Sequence, residues 1–427
     1  MLKIVRPICC GVDVHKRFIV ASIGSTDNHG VTTYQTKNFY THNKDINSFK
    51  RWLISNNCYD VCMESTGKYW IPIFNILEDD FNVVVANPKY IKAVKGKKTD
   101  KKDSIWIADL FKHDLCPQSF IPPKSTRCLR ELLRYRVKLV NMASSEKNRI
   151  QNSLTISNIT LDSVLSDIFG KSASNILDYI LSLDKPEDFN EEVIKTLLCK
   201  SAKTKSDDII TSIKGFCIPD STILKIKSSR IHLESIQNTV SSIDEEVDRL
   251  ISSEYQVYVD LAKTVPGISD NSSKVIVSEI GIDMSAFSTS KKLCNWAGLT
   301  PQNNESAGKK KSTKVSRAGV YLKPILVQCA NAAIKSTKEP YFRNKYLKIK
   351  KRRGHKKAII AIARMMLTCI YKMFQTGETF NPIDINYSDI PEAVLESKRE
   401  QIIDNAIKTL SKLGIDTSIL NLNPANN

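Results

Sequence analysis

At 427 residues the chain is long enough for two or three domains that each bury a core, which excludes a mini-fold dependent on disulfide or metal staples. With 41% hydrophobic and 25% charged residues it reads as globular rather than disordered. Its formal charge of +18 selects a polyanionic partner, and no apolar run approaches the roughly 18 to 20 residues that span a bilayer, so nucleic acid is expected rather than a membrane.

Met1 to Cys10 shows no apolar segment with a small-residue cleavage site, which points to a cytoplasmic protein. From Ile8 to Ile23 apolar and β-branched residues flank a short polar turn at His15 to Arg17, the pattern of a β-hairpin. A third strand covers 31 to 40, followed by a helix through Ile46 to Leu53 and a strand from Tyr59 to Glu64. A helix Trp70 to Leu77 and a strand Asn82 to Ala86, closed by Asn87-Pro88, complete the series. Three meandering strands and then alternating helix and strand is the order of a ribonuclease-H-like fold. Cys58 and Cys62 fall in this region, but no two of the eleven cysteines have C-x-x-C spacing, so reduced thiols are expected rather than structural zinc.

Residues 89 to 102 carry seven lysines and one acid, Asp100, ahead of a helix from Ser104 to Phe111. Pro117, Pro122 and Pro123 mark a domain boundary. Residues 125 to 155 form a long basic amphipathic helix with Leu129, Leu132, Leu133, Val137 and Val140 on one side. From about 160 to 222 eleven acids face seven bases in a helical insertion. Leu233, Ile236, Val240, Ile243, Val247 and Leu250 then step by three and four, the seam of a coiled coil. That seam suits either packing within the chain or an arm joining two protomers.

The remainder is helical. Pro266-Gly267 forms a turn between two helices that resembles a helix-hairpin-helix, whose backbone N–H groups can hold phosphates. Trp296 to Leu299 precedes a basic loop through Lys314, and residues 335 to 357 hold eleven Lys/Arg and one acid, with Tyr341, Phe342 and Tyr346 placed to stack on sugar or base. After Gly377 the tail turns acidic and reads as peripheral. The fold class expected is therefore α/β plus all-α. A ribonuclease-H/RuvC-like domain occupies 1–120, a helical coiled-coil region 121–258, a helical domain 259–376 and a tail 377–427.

Four carboxylates carry the chemistry. Strand alternation sends Asp13 to the face opposite Val12 and Val14, and Glu64 shares a face with Cys62 on a second strand. Asp100 and Asp103, three apart at a helix start, share one helical face and suit the positive end of its dipole. Like charges converging within a few ångström repel strongly, an objection that a divalent cation removes. All-oxygen ligation suits Mg²⁺ or Mn²⁺, which would bind a phosphate and ionise an attacking hydroxyl or water. Lys97, Lys98, Lys101 and Lys102 flank these acids and would hold the polyanion over them.

Several motifs, in order, resemble the IS110 family of insertion-sequence transposases. They are Gly11-Val-Asp13-Val-His-Lys16, Met63-Glu64-Ser-Thr-Gly67-Lys-Tyr69-Trp70, Asn87-Pro88 and Lys98-Thr-Asp100-Lys-Lys-Asp103, then Val265-Pro266-Gly267-Ile268, Ala297-Gly298-Leu299-Thr300-Pro301, Glu305-Ser306 and Ser316-Arg317-Ala318-Gly319. The resemblance implies a DEDD tetrad of Asp13, Glu64, Asp100 and Asp103, and a catalytic serine that maps to Ser306. Family members carry Ser-Gly there whereas this chain reads Ser306-Ala307-Gly308, so Ser312 and Ser316 are alternatives. It further implies recombination through a 5′-phosphoserine link, a structured noncoding guide RNA, and a homo-oligomer, dimer or tetramer, in which the acids of one protomer act beside the serine of another. Gly267, Lys309, Lys310, Lys311, Arg317, Lys351, Arg352 and Arg353 are the other expected contacts to DNA or RNA. A RuvC-like hydrolytic nuclease such as a Holliday-junction resolvase, and a non-catalytic nucleic-acid-binding remnant, are the competing readings.

Overall fold

A computed structural model describes residues 2–65, 67–91, 99–183, 185–301, 304–306, 309–312 and 314–382, with isolated helical positions beyond. Two compact units are present, Met1–Ile121 and Pro122–Asn427. In the first, strands β1 (Ile8–Val14), β2 (Phe18–Thr26) and β3 (Thr32–Tyr40) meander, helix α1 (Asn43–Ser55) crosses over to β4 (Asp60–Glu64), and α2 (Trp70–Leu77) leads to β5 (Asn82–Ala86). The sheet order is β3-β2-β1-β4-β5, antiparallel through β3, β2 and β1 and parallel from β1 through β4 to β5. This is the ribonuclease-H-like arrangement expected from the element order.

Because central strands are covered on both faces, β1 is a near-continuous buried run rather than an alternating one. Cys10, Val12 and Val14 join Val61, Met63, Val83 and Val85 in a core with Ile46, Phe49 and Leu53 of α1 and Ile73 and Leu77 of α2. The opposite face carries Cys9, Cys62, Val84 and Ala86. After the short α3 (Pro88–Ile91), that face is covered by Ile107 and Phe111 of α4 (Asp100–Lys112). Helix α4 starts four residues earlier than its apolar periodicity indicates, because Thr99 caps it by accepting a bond from the Lys102 N–H at 3.3 Å.

The second unit is built on two long helices, α5 (Lys124–Ile156) and, after the insertion, α9 (Asp220–Glu254). Three contacts fix them as antiparallel: Thr126 to Tyr255 at 2.9 Å, Arg136 to Asp244 at 2.9 Å, and Glu146 to His232 at 2.9 Å. The heptad seam lies in this pairing, with Leu233, Ile236, Ile243 and Val247 buried within the single chain. On α5 the buried line runs through Leu129, Leu133 and Leu139. Val140, expected on that face, is 40% exposed, since the helix continues along one partner and its stripe follows the narrower coiled-coil repeat.

The insertion folds into α6 (Lys171–Ser182), α7 (Glu191–Leu197) and α8 (Ser206–Thr211) around its own apolar cluster, which includes Ile176, Ile180, Ile194, Ile209 and Phe216 and reaches Ile150, Leu154, Ile226 and Leu233 of the long helices. Beyond α9 lie α10 (Gln256–Lys263), α11 (Asp270–Ile280) and α12 (Ser290–Trp296). A two-stranded ribbon follows, β6 (Asn304–Ser306) with β7 (Lys309–Ser312), and then α13 (Leu322–Ala333), α14 (Tyr341–Arg353) and α15 (His355–Thr376). The ribbon corrects the expected basic loop. Helix α15 also corrects the expectation that no apolar stretch reaches membrane-spanning length, for its 22 residues are apolar enough to do so. Ile359, Ile362, Met366, Leu367, Ile370 and Phe374 are buried, which makes it the core helix of this unit.

Candidate active site

Close approach of α4 to β1 assembles the acidic site. A Cβ on Gly11 would lie 2.3 Å from both the Ala108 nitrogen and the Ser104 carbonyl oxygen, so only glycine lets the helix reach the strand. The buried Ser104 hydroxyl bonds that of Ser22 at 2.7 Å, and Ser22 bonds Thr36 at 2.8 Å, tying α4 to β2 and β3. Two turns upstream of Ala108, the first turn of α4 presents Asp100 and Asp103.

Asp13 is 9% exposed. Its carboxylate lies 3.2 Å from Nε2 of His15, and the same nitrogen is 3.6 Å from Asp100. Burial raises the Asp13 pKa, opposed by His15 and reinforced by the charges of Asp100 and Asp103. One donor atom each from Asp13, His15 and Asp100 falls within a 4.8 Å cluster. The donor set fits a divalent cation: crowded carboxylates disfavour their own ionisation until a cation offsets the repulsion. Glu64 ends β4, where the parallel register of Val12 with Met63 carries it alongside Asp13 on the same sheet face. Its carboxylate and that of Asp103 stand outside the 4.8 Å cluster. Lys101 and Lys102 are exposed on α4, while Lys97 and Lys98 lie outside the described residues.

His15 is the residue that sequence reasoning missed. It lies in the hairpin turn between β1 and β2, as its sequence position indicates, and its place two residues from Asp13, directly after β1, is the signal that could have found it. An imidazole beside these carboxylates would suit, among divalent cations, one that accepts nitrogen.

In the second unit Ser306 ends β6, paired with Lys309 across the ribbon, and Lys309, Lys310 and Lys311 form most of β7. Pro301 and Val315 pair at the ribbon's base. Two of the sequence motifs interlock there. A Cβ on Gly298 would lie 2.4 Å from the Ala318 carbonyl oxygen, and one on Gly319 would lie 2.1 Å from that of Ala297. Both glycines also have positive φ, 68° and 67°. Of the alternatives to Ser306, Ser312 ends β7, and Ser316 accepts a bond from the Ala318 N–H at 3.2 Å, with the Arg317 side chain exposed beside it.

Gly267 sits between the buried Pro266 and Ile268 in the turn from α10 to α11, with φ 88°, and a Cβ there would meet the Cys329 carbonyl oxygen of α13 at 2.5 Å. Packing therefore explains this glycine without a phosphate. Asp270 in the first turn of α11 already offsets the helix dipole, and it pairs with Lys263 and Lys274. Lys351, Arg352 and Arg353 are exposed at the end of α14, joined through Gly354 to His355, Lys356 and Lys357 at the start of α15. Two of the three aromatics expected to stack on nucleic acid are turned inward: Phe342 is fully buried, packed on Phe380, and Tyr346 is 7% exposed with its hydroxyl bonded to His355 at 2.8 Å, whereas Tyr341 is half-buried with the Lys345 ammonium 4.8 Å from its ring centre. Period-four spacing turned Phe342 and Tyr346 to the core and left Arg343 between them in solvent.

A ribonuclease-H-like sheet with carboxylates gathered beside its central strand, followed by a basic helical unit, defines an enzyme of the nucleic-acid phosphoryl-transfer class. A family model described as Transposase, DEDD_Tnp_IS110, matches residues 10–159, and one described as Transposase IS116/IS110/IS902 family matches residues 259–347, together more than half of the chain. The chain belongs to the IS110 family of transposases, enzymes that cleave and recombine DNA. No curated protein matches significantly. Among solved structures, the fowlpox virus resolvase in complex with substrate Holliday-junction DNA matches at 23% identity over 24% of this chain and 72% of that chain, with a TM-score of 0.18.

Proposed function

We propose that this transposase cleaves and exchanges DNA strands with a divalent cation, Mg²⁺ or Mn²⁺, held by Asp13, Glu64, Asp100 and Asp103, and with Ser306 as nucleophile. The observation that supports the first part is the seating of α4 on Gly11, which brings Asp100 to the His15 and Asp13 pair. When bound, the cation would neutralise the phosphate and lower the pKa of an attacking hydroxyl. The Ser306 oxygen forms a bond to the scissile phosphorus, the bond from phosphorus to the 3′ oxygen breaks, and that oxygen takes a proton, leaving a 5′-phosphoserine and a free 3′ hydroxyl. A 3′ hydroxyl of the other strand reverses the step and releases the serine. Lys309, Lys310 and Lys311 supply positive charge near the serine alkoxide. Lys97, Lys98, Lys101, Lys102, Arg317, Lys351, Arg352 and Arg353 hold phosphates, while Gly267, expected among them, is accounted for by its packing on α13. Family membership supports a noncoding guide RNA, a homo-oligomeric assembly and a prokaryotic cytoplasmic setting.

One observation favours hydrolysis as a second reading: an imidazole hydrogen-bonded to a carboxylate, as in His15 and Asp13, is an arrangement that activates water. Incubating the protein and Mg²⁺ with labelled element-junction DNA, with and without RNA transcribed from the flanking end, separates the two on a denaturing gel. A covalent protein–DNA adduct lost in both Ser306→Ala and Asp13→Ala supports the serine mechanism. Cleavage that needs Asp13 but survives Ser306→Ala establishes hydrolysis.

A further inference from the structure

A buried acid in an electrostatically poor place identifies a second layer of residues around the ribbon. Glu279 lies in the last turn of α11, where the helix dipole disfavours a negative charge, and is 3% exposed. Two arginines one turn apart on α5 reach it. Arg130 acts as a cap, donating to the Ser278 carbonyl at 3.0 Å and the Glu279 carbonyl at 2.6 Å. Burial pushes its pKa down to about 10, opposed by the Glu279 carboxylate 3.9 Å away.

Arg134 is arranged differently. It makes a two-point pair with the Glu279 carboxylate, Nε to Oε1 at 2.6 Å and Nη2 to Oε2 at 2.8 Å, and its guanidinium carbon lies 4.4 Å from the centre of the Tyr321 ring. Such fork pairing plus stacking fixes a guanidinium plane in a way that lysine cannot reproduce. Only the Glu279 side of the pair is buried, Arg134 being 37% exposed, and ion pairs that are partly solvated or buried are poor sources of net stability, so its presence points to geometry.

Tyr321 immediately precedes α13 and closes the segment at the ribbon's base. Just before it, Gly319 packs on the Ala297 carbonyl, the Lys323 ammonium donates to the Ser316 carbonyl at 2.7 Å, and Val315 pairs with Pro301. We propose that Arg134, oriented by Glu279, is a positioning residue for the ribbon: by gripping Tyr321 it fixes the 315–321 segment and so aims the strands that carry Ser306 and Lys309 to Lys311. The idea rests on Ser306 as nucleophile for its catalytic consequence, but not for its structural one.

Two readouts on the full chain keep these apart. In single-turnover reactions at saturating junction DNA, Arg134→Lys and Tyr321→Leu are expected to slow adduct formation at least tenfold, with DNA affinity within twofold of wild type, while Tyr321→Phe, which retains the ring, restores the rate. Backbone hydrogen exchange, read without DNA, is expected to quicken in 309–321 for Arg134→Lys and to stay unchanged in α15. Unchanged exchange, or an adduct rate that falls only as far as DNA binding or the folded fraction falls, overturns the proposal. Faster exchange in Arg134→Lys with no adduct in wild type would uphold positioning and overturn the serine mechanism instead.

Discussion

Replacing Gly11 by alanine tests whether the seating of α4 makes the site. The new Cβ would lie 2.3 Å from two backbone atoms of α4, whereas ordinary contact begins at 3.4 Å, so the helix must retreat by about 1 Å. Overpacking of this kind costs about 1–3 kcal/mol, and stretching the buried Ser22–Ser104 bond beyond hydrogen-bond range adds roughly 1 kcal/mol. The melting midpoint should fall by several degrees, on the order of 2–4 °C per kcal/mol in a domain of moderate size. Activity should fall further than stability. Displacing Asp100 and Asp103 by about 1 Å relative to Asp13 spoils a ligand geometry that small hard cations require, and shifts of that size cost about 100-fold in rate. The assay is Mn²⁺-dependent DNA cleavage well below the melting midpoint, beside a thermal melt. Gly24→Ala is the control, because its Cβ would meet side-chain atoms and no backbone, the edge of the Tyr34 ring at 3.0 Å and the Thr32 methyl at 3.6 Å. Wild-type cleavage by a folded Gly11→Ala protein would refute the reasoning.

Asp13→Asn and Asp100→Asn should each weaken Mn²⁺ binding at least tenfold by calorimetry; equal affinities throughout would remove the metal site. The combined change of Lys351, Arg352 and Arg353 to glutamine should reduce the slope of log affinity for DNA against log salt by up to about 2.7, since each phosphate contact contributes about 0.9. An unchanged slope would show that the end of α14 does not touch DNA. Hydrogen bonding from Lys274, opposed by partial burial and joined by Lys263, holds the Asp270 carboxyl below its ordinary value of 3.8. A depressed carboxylate stabilises the fold above its unfolded pKa and loses that contribution as pH falls through the folded one. Asp270→Asn should therefore lower the melting midpoint modestly at pH 7, by an amount that shrinks below pH 3.8.

The sheet was legible because its strands obey local rules: α2 and β5 fall where apolar periodicity and the Asn87-Pro88 stop place them. Asp13 and Glu64 were legible for the same reason, as alternation assigns each a face. The position of His15 was not, because a polar residue at a strand end looks the same in sequence whether it turns to solvent or folds back on a carboxylate. Spacing revealed the seam of α9 but not its partner, since a heptad accepts a helix from either the same chain or another. Tyr346 and Phe342 show the reverse limit: composition drew attention to aromatics among cations, while the period of the helix decided that they face the core. The interlock of Gly298 with Gly319 joins residues 21 positions apart, a relation that no local pattern contains.

The amide of Thr160 donates to the carbonyl of Ser212 at 3.0 Å, so the acidic insertion closes on itself close to where it leaves α5, eight residues before α9 begins at Asp220. A segment whose two ends meet can be gained or lost in a single event without disturbing its flanks, because closing it demands no new separation between them. The first family match stops at residue 159, one position before that amide. The cluster around Ile176 and Ile209 is thus a locally closed unit that still shares Ile150, Leu154, Ile226 and Leu233 with the helices beneath it, so its loops are freer to change than the apolar residues facing those helices.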